Sequence, residues 1–515
     1  MRFVMKQLVT LCSVLLCFSA CNSDSAFVSG GELSEDVSAA ANTITEADYL
    51  EKISKIAHDS MGGRNTPSAG LNKTANWIAE EFARFGLTPG GDDGSFLQYY
   101  TIETLRPNPG MSSAQIGGKS LEFGSDIVVA NGVGQGDIQG EVVVLAGLED
   151  LSEGVASSID GKIVLAVSMP EGYRTHRRAI SDLRRAGALA VLVATEKNDQ
   201  EWTATSDAMT ARNTLRIGSG SSSNNIAFEI RDEAIADVLV ENGIDLNALR
   251  NTRNLEVMEA NGMQATLSPR SQMVTQDSAP NVVGILEGSD PDLREEYIAY
   301  SAHMDHVGIG NPDSEGDSIY NGADDDASGT IGIVEIAQAF SGMKVKPKRS
   351  SIFLLVSGEE KDLWGSAFFA DNPPVPVDQI VANINADMIG RNWSDTVVVI
   401  GKEHSDLGAT LNQVSNVHPE LGLATIDDIW PEERFYFRSD HYNFAQKGIP
   451  ILFFFSGVHE DYHQPSDEVD LIDTEKAARI SKMIFYLGNE VANNPNRPEW
   501  NPDSYQEIVV EGGGR

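Results

Sequence analysis

Six runs in the second half of the chain, Asn281–Leu286, Tyr297–Ser301, Ser351–Val356, Val381–Asn385, Thr396–Ile400 and Ile449–Phe455, are apolar and closed at their ends by glycine or charge. Apolar residues at successive positions, rather than at every second one, predict strands buried on both faces. Amphipathic segments at Thr330–Phe340 and Thr474–Val491 alternate with them as helices. This order predicts an α/β fold, a three-layer sandwich around a mixed, mostly parallel sheet. Such sheets gather ligands beyond the carboxyl ends of their strands. Nearer the N-terminus, Thr43–His58 and Leu71–Phe85 carry helical periodicity. In the second, Trp77, Ile78, Phe82 and Phe85 share a face and Gly86 supplies a stop. From about residue 125 the runs shorten: Ile127–Val129, Glu141–Leu145, Lys162–Val167 and Ala190–Ala194 predict strands, with a helix at about Thr175–Arg185. Residues 218–225 read as an exposed serine-rich loop.

At 515 residues the chain has room for two or three domains of roughly 100–200 residues. It carries 76 acidic and 38 basic side chains, a formal charge of −38, spread along its length. That charge speaks against nucleic acid and anionic membrane surfaces as partners and fits a solubility role.

Arg2 and Lys6 precede an apolar stretch, Leu8–Phe18, too short to span a bilayer stably, and Ser19 and Ala20 lead to Cys21. The segment resembles a bacterial lipoprotein signal, which implies export, lipidation of Cys21 and attachment to the cell envelope. The alternative is a periplasmic or secreted protein. All three cysteines, Cys12, Cys17 and Cys21, lie in this segment, so disulfides, thiol catalysis and cysteine-zinc sites are excluded from the rest of the chain. Residues 22–42 read as a flexible tether.

The candidate chemistry sits where the predicted strands end. His303 and Asp305 are two residues apart. On its own this spacing fits a plain hydrogen bond, or a metal-ligating imidazole held by a carboxylate. Asp324, Asp325 and Asp326 lie between Gly322 and Gly329. Three adjacent carboxylates repel one another unless a cation compensates, and a helix N-terminus is the other setting that suits them. A non-proline cis bond after Asp325 is expected in this turn. The run Ser351–Val356 leads into Glu359 and Glu360, which suit division between a proton-transfer carboxylate and a ligand. Asp387 follows a strand at a glycine turn, and Tyr462 and His463 follow the very apolar run ending at Phe455. Histidines mixed with carboxylates mark hydrolytic two-metal sites better than structural zinc sites.

Taken together, Ala302-His303-Met-Asp305-His306-Val-Gly308, Gly322-Ala-Asp-Asp-Asp-Ala-Ser-Gly329, Glu359-Glu360-Lys-Asp-Leu-Trp-Gly-Ser366, Asp387-Met-Ile-Gly390, Arg438-Ser-Asp-His441 and Tyr462-His463 resemble the M28 family of zinc-dependent exopeptidases. The resemblance covers 43–125 and 278–495 as a catalytic domain. The block at 126–277 resembles an inserted, β-rich protease-associated domain, through Asp160-Gly-Lys-Ile-Val-Leu165 and Arg185-Ala-Gly-Ala188, and 496–515 is expected as a polar tail.

The resemblance implies two zinc ions per chain, one held by His303, Asp325 and Asp387 and the other by Asp325, Glu360 and His463. It implies Glu359 as general base, Asp305 behind His303, Tyr462 as donor to the developing oxyanion and Arg438 as a substrate contact. Asp362 stands where the family has glycine. The implied activity is removal of N-terminal residues from peptides with a free amine. A glutaminyl-cyclase-like transferase, a carboxypeptidase that trims acidic C-terminal residues, and a surface binding protein with a dead hydrolase site remain alternatives. His306, His441 and His459 lie near the motifs and fit either cleft-lining or ordinary hydrogen-bonded histidines.

Overall fold

A computed structural model describes residues 35–512 apart from 133, 148–152, 168–172, 219–225, 251 and 253–255. The expected signal, Cys21, most of the expected tether and nearly all of the serine-rich loop lie outside the described residues.

Ten described strands form one sheet. Along its main path the order is Ala424–Ile426, Thr396–Ile400, Ile451–Phe455, Ile380–Ala386, Tyr297–His303, Ser350–Val356, Ser271–Leu286, Leu97–Pro107 and Thr214–Ile217, with Thr88–Pro89 pairing beside Ser271–Leu286. The apolar runs predict its central strands because these are buried on both faces. Ile298, Tyr300, Ala302, Phe353 and Leu355 feed one hydrophobic cluster, and the alternate residues Ala299, Ile352, Leu354 and Val356 feed another. Tyr300 stacks on Phe353 with ring centroids 5.3 Å apart, a contact worth about 0.5–1.5 kcal/mol beyond its buried area. The first cluster is completed by the helices Glu46–Ile56, Ala69–Phe85, Gly329–Gly342 and Thr474–Asn493. In Ala69–Phe85 the Ser68 side chain accepts the Leu71 amide at 3.1 Å, and Gly86 ends the helix at φ 78°, the left-handed stop that the sequence predicts.

The expectation of a mostly parallel sheet is corrected. Parallel pairing runs from Ile451–Phe455 through Ile380–Ala386 and Tyr297–His303 to Ser350–Val356, and returns between Thr396–Ile400 and Ala424–Ile426. The other pairings of this sheet are antiparallel. An apolar run buried on both faces carries no sign of its direction, so this could not be read from composition.

A second sheet of eight described strands has its own clusters on both faces. Its centre, Ile138–Ala146, Ile163–Ala166, Ala190–Thr195 and Ala227–Arg231, is parallel, and helices such as Tyr173–Arg185, Asp199–Ala211 and Asp232–Glu241 alternate with its strands. The inserted block is therefore α/β rather than simply β-rich. Its limits also shift. Ser113–Ile116 and Lys119–Leu121 already belong to this sheet, whereas Thr214–Ile217, from within the block, pairs with Leu97–Pro107 in the first. Ser271–Leu286 runs as one strand across the expected boundary.

Both the expected tether and the expected polar tail carry a helix. Glu35–Ala41, inside the expected tether, is a helix that buries Val37, Ala40 and Ala41, and the Asp36 carboxylate accepts the Lys344 and Val345 amides. Pro502–Tyr505, inside the expected tail, is helical, and the following Ile508 is buried.

Candidate metal centre

Strand register brings three of the predicted segments to one edge. His303 is aligned with Val356 on one side, and Ser301 with Asn385 on the other. His303, the Glu359–Glu360 turn and Asp387 therefore emerge side by side at the carboxyl ends of three parallel strands. The Asp324–Asp326 turn fits beside them because two of its carboxylates are spent on main chain. Asp326 accepts the amides of His303 at 3.0 Å, Gly329 at 2.8 Å and Met388 at 3.1 Å. Asp324 accepts the Gly390 amide at 2.6 Å. The bond between Asp325 and Asp326 is cis.

Asp325 is left to face the cleft. Its Oδ1 lies 3.3 Å from His303 Nε2, and its Oδ2 lies 3.1 Å from His463 Nε2 and 3.6 Å from His306 Nδ1. On the first side, Asp387 Oδ1 lies 3.6 Å from His303 Nε2, while its Oδ2 accepts the Ser439 hydroxyl at 2.9 Å. On the second, Glu360 Oε1 lies 3.1 Å from His463 Nε2 and 2.9 Å from His306 Nδ1. Two sets of ligand-type atoms, each within 4.8 Å of one another, thus share Asp325: His303, Asp325 and Asp387, and His306, Asp325, Glu360 and His463.

The remaining predicted residues surround this pair of sets. Glu359, Tyr462 and Arg438 line one pocket with His303, Asp325 and Asp387, against an apolar wall that includes Phe435, Phe453 and Phe455. Tyr462 stacks on His463 with ring centroids 4.0 Å apart. Arg438 is half exposed, lies over the Phe435 ring and contacts Glu433 at 3.2 Å. Asp305 departs from the expected arrangement. Its backbone carbonyl, not its carboxylate, is the close partner of His303 Nδ1, at 3.1 Å against 3.8 Å. The carboxylate instead accepts the Thr66 hydroxyl at 2.8 Å and the Glu359 amide at 3.3 Å, and so holds the Glu359–Glu360 turn. Asp362 adopts φ 79°, the left-handed conformation that favours glycine.

Residues 281–488 match the model of peptidase family M28. That segment is similar to family M28. The matched segment contains every predicted site residue. The chain is 26% identical over 263 residues to a probable zinc metalloprotease of Pyricularia oryzae, covering 42% of this chain and 50% of that protein. It is 28% identical over 205 residues to leupeptin-inactivating enzyme 1 of Streptomyces exfoliatus, covering 39% and 41%. The chain thus spans about half the length of the curated relatives that it matches. Among solved structures, an aminopeptidase from Aneurinibacillus sp. strain AM-1 aligns at 18% identity and TM-score 0.48 over 90% of this chain and 97% of that one.

The site suits divalent cations on its own electrostatics. Asp305, Asp325, Asp326, Asp387, Glu359 and Glu360 crowd one largely buried volume. Such a set is stable only with positive charge among it. Glu360 Oε1, Asp387 Oδ1, His463 Nε2 and both ring nitrogens of His306 are buried without a hydrogen bond, although several lie about 3 Å from one another. Buried polar groups this close that form no hydrogen bond with one another suit a shared cation.

The shifts in proton affinity follow. Burial pushes Glu359 well above the usual carboxylate range, with His303 opposing and the charges of Asp440, Glu360 and Asp387 adding. For Glu360, burial and Asp325 raise the affinity, but His306 and His463 prevail and hold it at about 2. His463 is pulled down by burial, yet Asp325 and Glu360 lift it to about 10. Burial and the nearby carboxylates keep the Tyr462 hydroxyl protonated.

Several residues of the site carry no sign in the sequence. Arg64 is fully buried and donates to the carbonyls of Met304, Ile56, Asn321 and Gly322 at 2.5–3.0 Å, which clamps the His303 and Asp325 segments together. The Asp467 carboxylate accepts the amides of Asp324 and Asp325 at 3.0–3.1 Å. His441 is an ordinary core histidine, bonded to the Tyr436 carbonyl at 2.8 Å and stacked on Phe453. His459 lies 3.3 Å from Asp324 behind the site.

Proposed function

We propose that the protein is a di-zinc aminopeptidase that removes N-terminal residues from peptides with a free amine. The observation that carries this reading is Asp325, whose two carboxylate oxygens face two separate ligand sets with Glu359 in the same pocket. His303, Asp325 and Asp387 would hold one ion, and Asp325, Glu360 and His463 the other. When bound, the ions supply Lewis acidity, which lowers the pKa of water and polarises a carbonyl.

The chain's own residues supply the rest. Burial and the neighbouring carboxylates raise the proton affinity of Glu359, and bound cations would offset this; as a carboxylate, Glu359 would take a proton from the attacking water and return it to the leaving amine. The Tyr462 hydroxyl, kept protonated, donates to the oxyanion as the carbonyl carbon becomes tetrahedral. Asp305 and Thr66 keep Glu359 in position through its amide and the neighbouring Gly358 amide. Arg438, at the pocket mouth, contacts the substrate.

The finer fold reading, a three-layer sandwich carrying a protease-associated domain, belongs to the same proposal. The inserted sheet would shape access to the cleft and favour short peptides. Export and lipidation at Cys21 are proposed from the N-terminal residues alone, and the mass of the mature N-terminus tests them.

A panel of aminoacyl-nitroanilides, N-blocked peptides and N-terminal glutamine peptides, with and without chelator, tests the activity. Chelator-sensitive hydrolysis of free-amine substrates only is expected. Cyclisation of the glutamine peptides, or cleavage from the carboxyl end, would replace the reading. Glu359→Gln is expected to keep zinc and lose about 10²-fold or more in kcat; full activity in that variant would refute its role as base.

A further inference from the structure

His306 reads in the sequence as a cleft-lining or an ordinary hydrogen-bonded histidine, yet its surroundings are those of a ligand. Its ring is fully buried and neither nitrogen makes a hydrogen bond. A buried polar group left without a partner costs about 1–3 kcal/mol, which native interiors rarely tolerate. Nδ1 lies 2.9 Å from Glu360 Oε1 and 3.6 Å from Asp325 Oδ2, and His463 Nε2 lies 3.1 Å from the same Glu360 oxygen. Neither Nδ1, Nε2 of His463 nor that oxygen is in a hydrogen bond. The ring reaches this position because residue 322 is glycine. A Cβ there would stand 2.5 Å from His306 Cγ, and the backbone has φ +55°.

Resting on the two-cation reading above, we infer that His306 Nδ1 is a fourth protein donor to the cation of Asp325, Glu360 and His463. The two positions are then unlike: two imidazoles and two carboxylates surround one, and one imidazole and two carboxylates the other. Four protein donors close the tetrahedral shell that zinc prefers, whereas three leave it open. The four-donor position fills first and retains its ion under chelator. The three-donor position exchanges and carries the vacancy that chemistry requires.

The test is zinc titration of the metal-free full chain, followed by 15N resonances of the histidine rings, with cobalt absorption and chelator competition as independent measures. The first equivalent is expected to shift His306 and His463, and only the second to shift His303. His306→Ala and His306→Asn are expected to weaken the first-filled position on the order of 10-fold or more, since even indirect partners of a ligand are worth 10–100-fold, and to change its cobalt spectrum. A first equivalent that shifts His303 before His306, or variants with wild-type affinity and spectrum, would overturn the inference while leaving two-cation binding intact. A wild-type chain that takes up no second ion would overturn both.

Discussion

Asp467 offers a direct way to weaken the site without touching a ligand. Its side chain is fully buried, and its carboxylate accepts the amides of Asp324 and Asp325, while the Ala323 amide donates to its carbonyl at 3.1 Å. The segment that carries His463 is thereby fixed to the turn that carries Asp325. Asp467→Asn keeps the volume but replaces one oxygen by an NH2 group facing amide donors. Hydrogen bonds to a charged acceptor contribute about 1.5–3 kcal/mol and neutral ones about 0.5–1.5, so two bonds weakened or lost amount to about 2–3 kcal/mol. If the turn shifts, that energy is taken from cation binding, equivalent to roughly 30- to 150-fold in affinity at about 1.4 kcal/mol per decade. Chelator competition with zinc, with circular dichroism as a check on folding, measures it. A folded Asp467→Asn with wild-type zinc affinity would refute the idea that this carboxylate positions Asp325.

Three further outcomes are expected. Tyr462→Phe keeps the ring stacked on His463 and should bind zinc normally but lose about 10²–10³-fold in kcat, the usual effect of removing one oxyanion donor; unchanged steady-state turnover would remove Tyr462 from the mechanism. Glu335, buried beside Lys52 and Asp48, is raised by burial, against the pull of Lys52, from 4.5 to about 7. Between those pH values the native state holds a proton that the unfolded chain has released, so stability falls as pH rises through the window, by about 3 kcal/mol in all. Glu335→Gln should flatten that slope in urea unfolding followed at several pH values, and an equal slope in both proteins would contradict the assignment. Arg64→Ala leaves four buried carbonyls without their donor and should destabilise the chain by about 3–5 kcal/mol, read as a lowered urea midpoint.

Of the residues that the sequence made legible, His303, Glu359, Glu360 and Asp387 lie at or just past the end of an apolar run, whereas Asp325 was marked by its two carboxylate neighbours. His303 ends Tyr297–His303, Asp387 follows Ile380–Ala386, and Glu359 and Glu360 lie just past Ser350–Val356. Burial on both faces writes such runs plainly, and the chain must expose polar residues where they stop. Arg64 and Asp467 were not legible because, Ile56 apart, the partners of their side chains are 142 to 258 residues away, and nothing local marks a buried arginine or an aspartate that serves distant amides. His306 depends on the missing side chain of Gly322, a contact made only in three dimensions. The helix Asp199–Ala211 buries only Trp202, so it has almost no apolar stripe to detect. The first half of Ser271–Leu286 is largely exposed, and its polar residues hid the ribbon that it forms with Leu97–Pro107.

The central claim is that Asp325 stands between two cations. Diffraction from crystals of the zinc-loaded protein, recorded on both sides of the zinc absorption edge, tests it most directly. The account predicts two anomalous peaks flanking the Asp325 carboxylate, one beside His303 and Asp387 and the other beside Glu360 and His463. A single peak, or peaks that Asp325 does not touch, would contradict it.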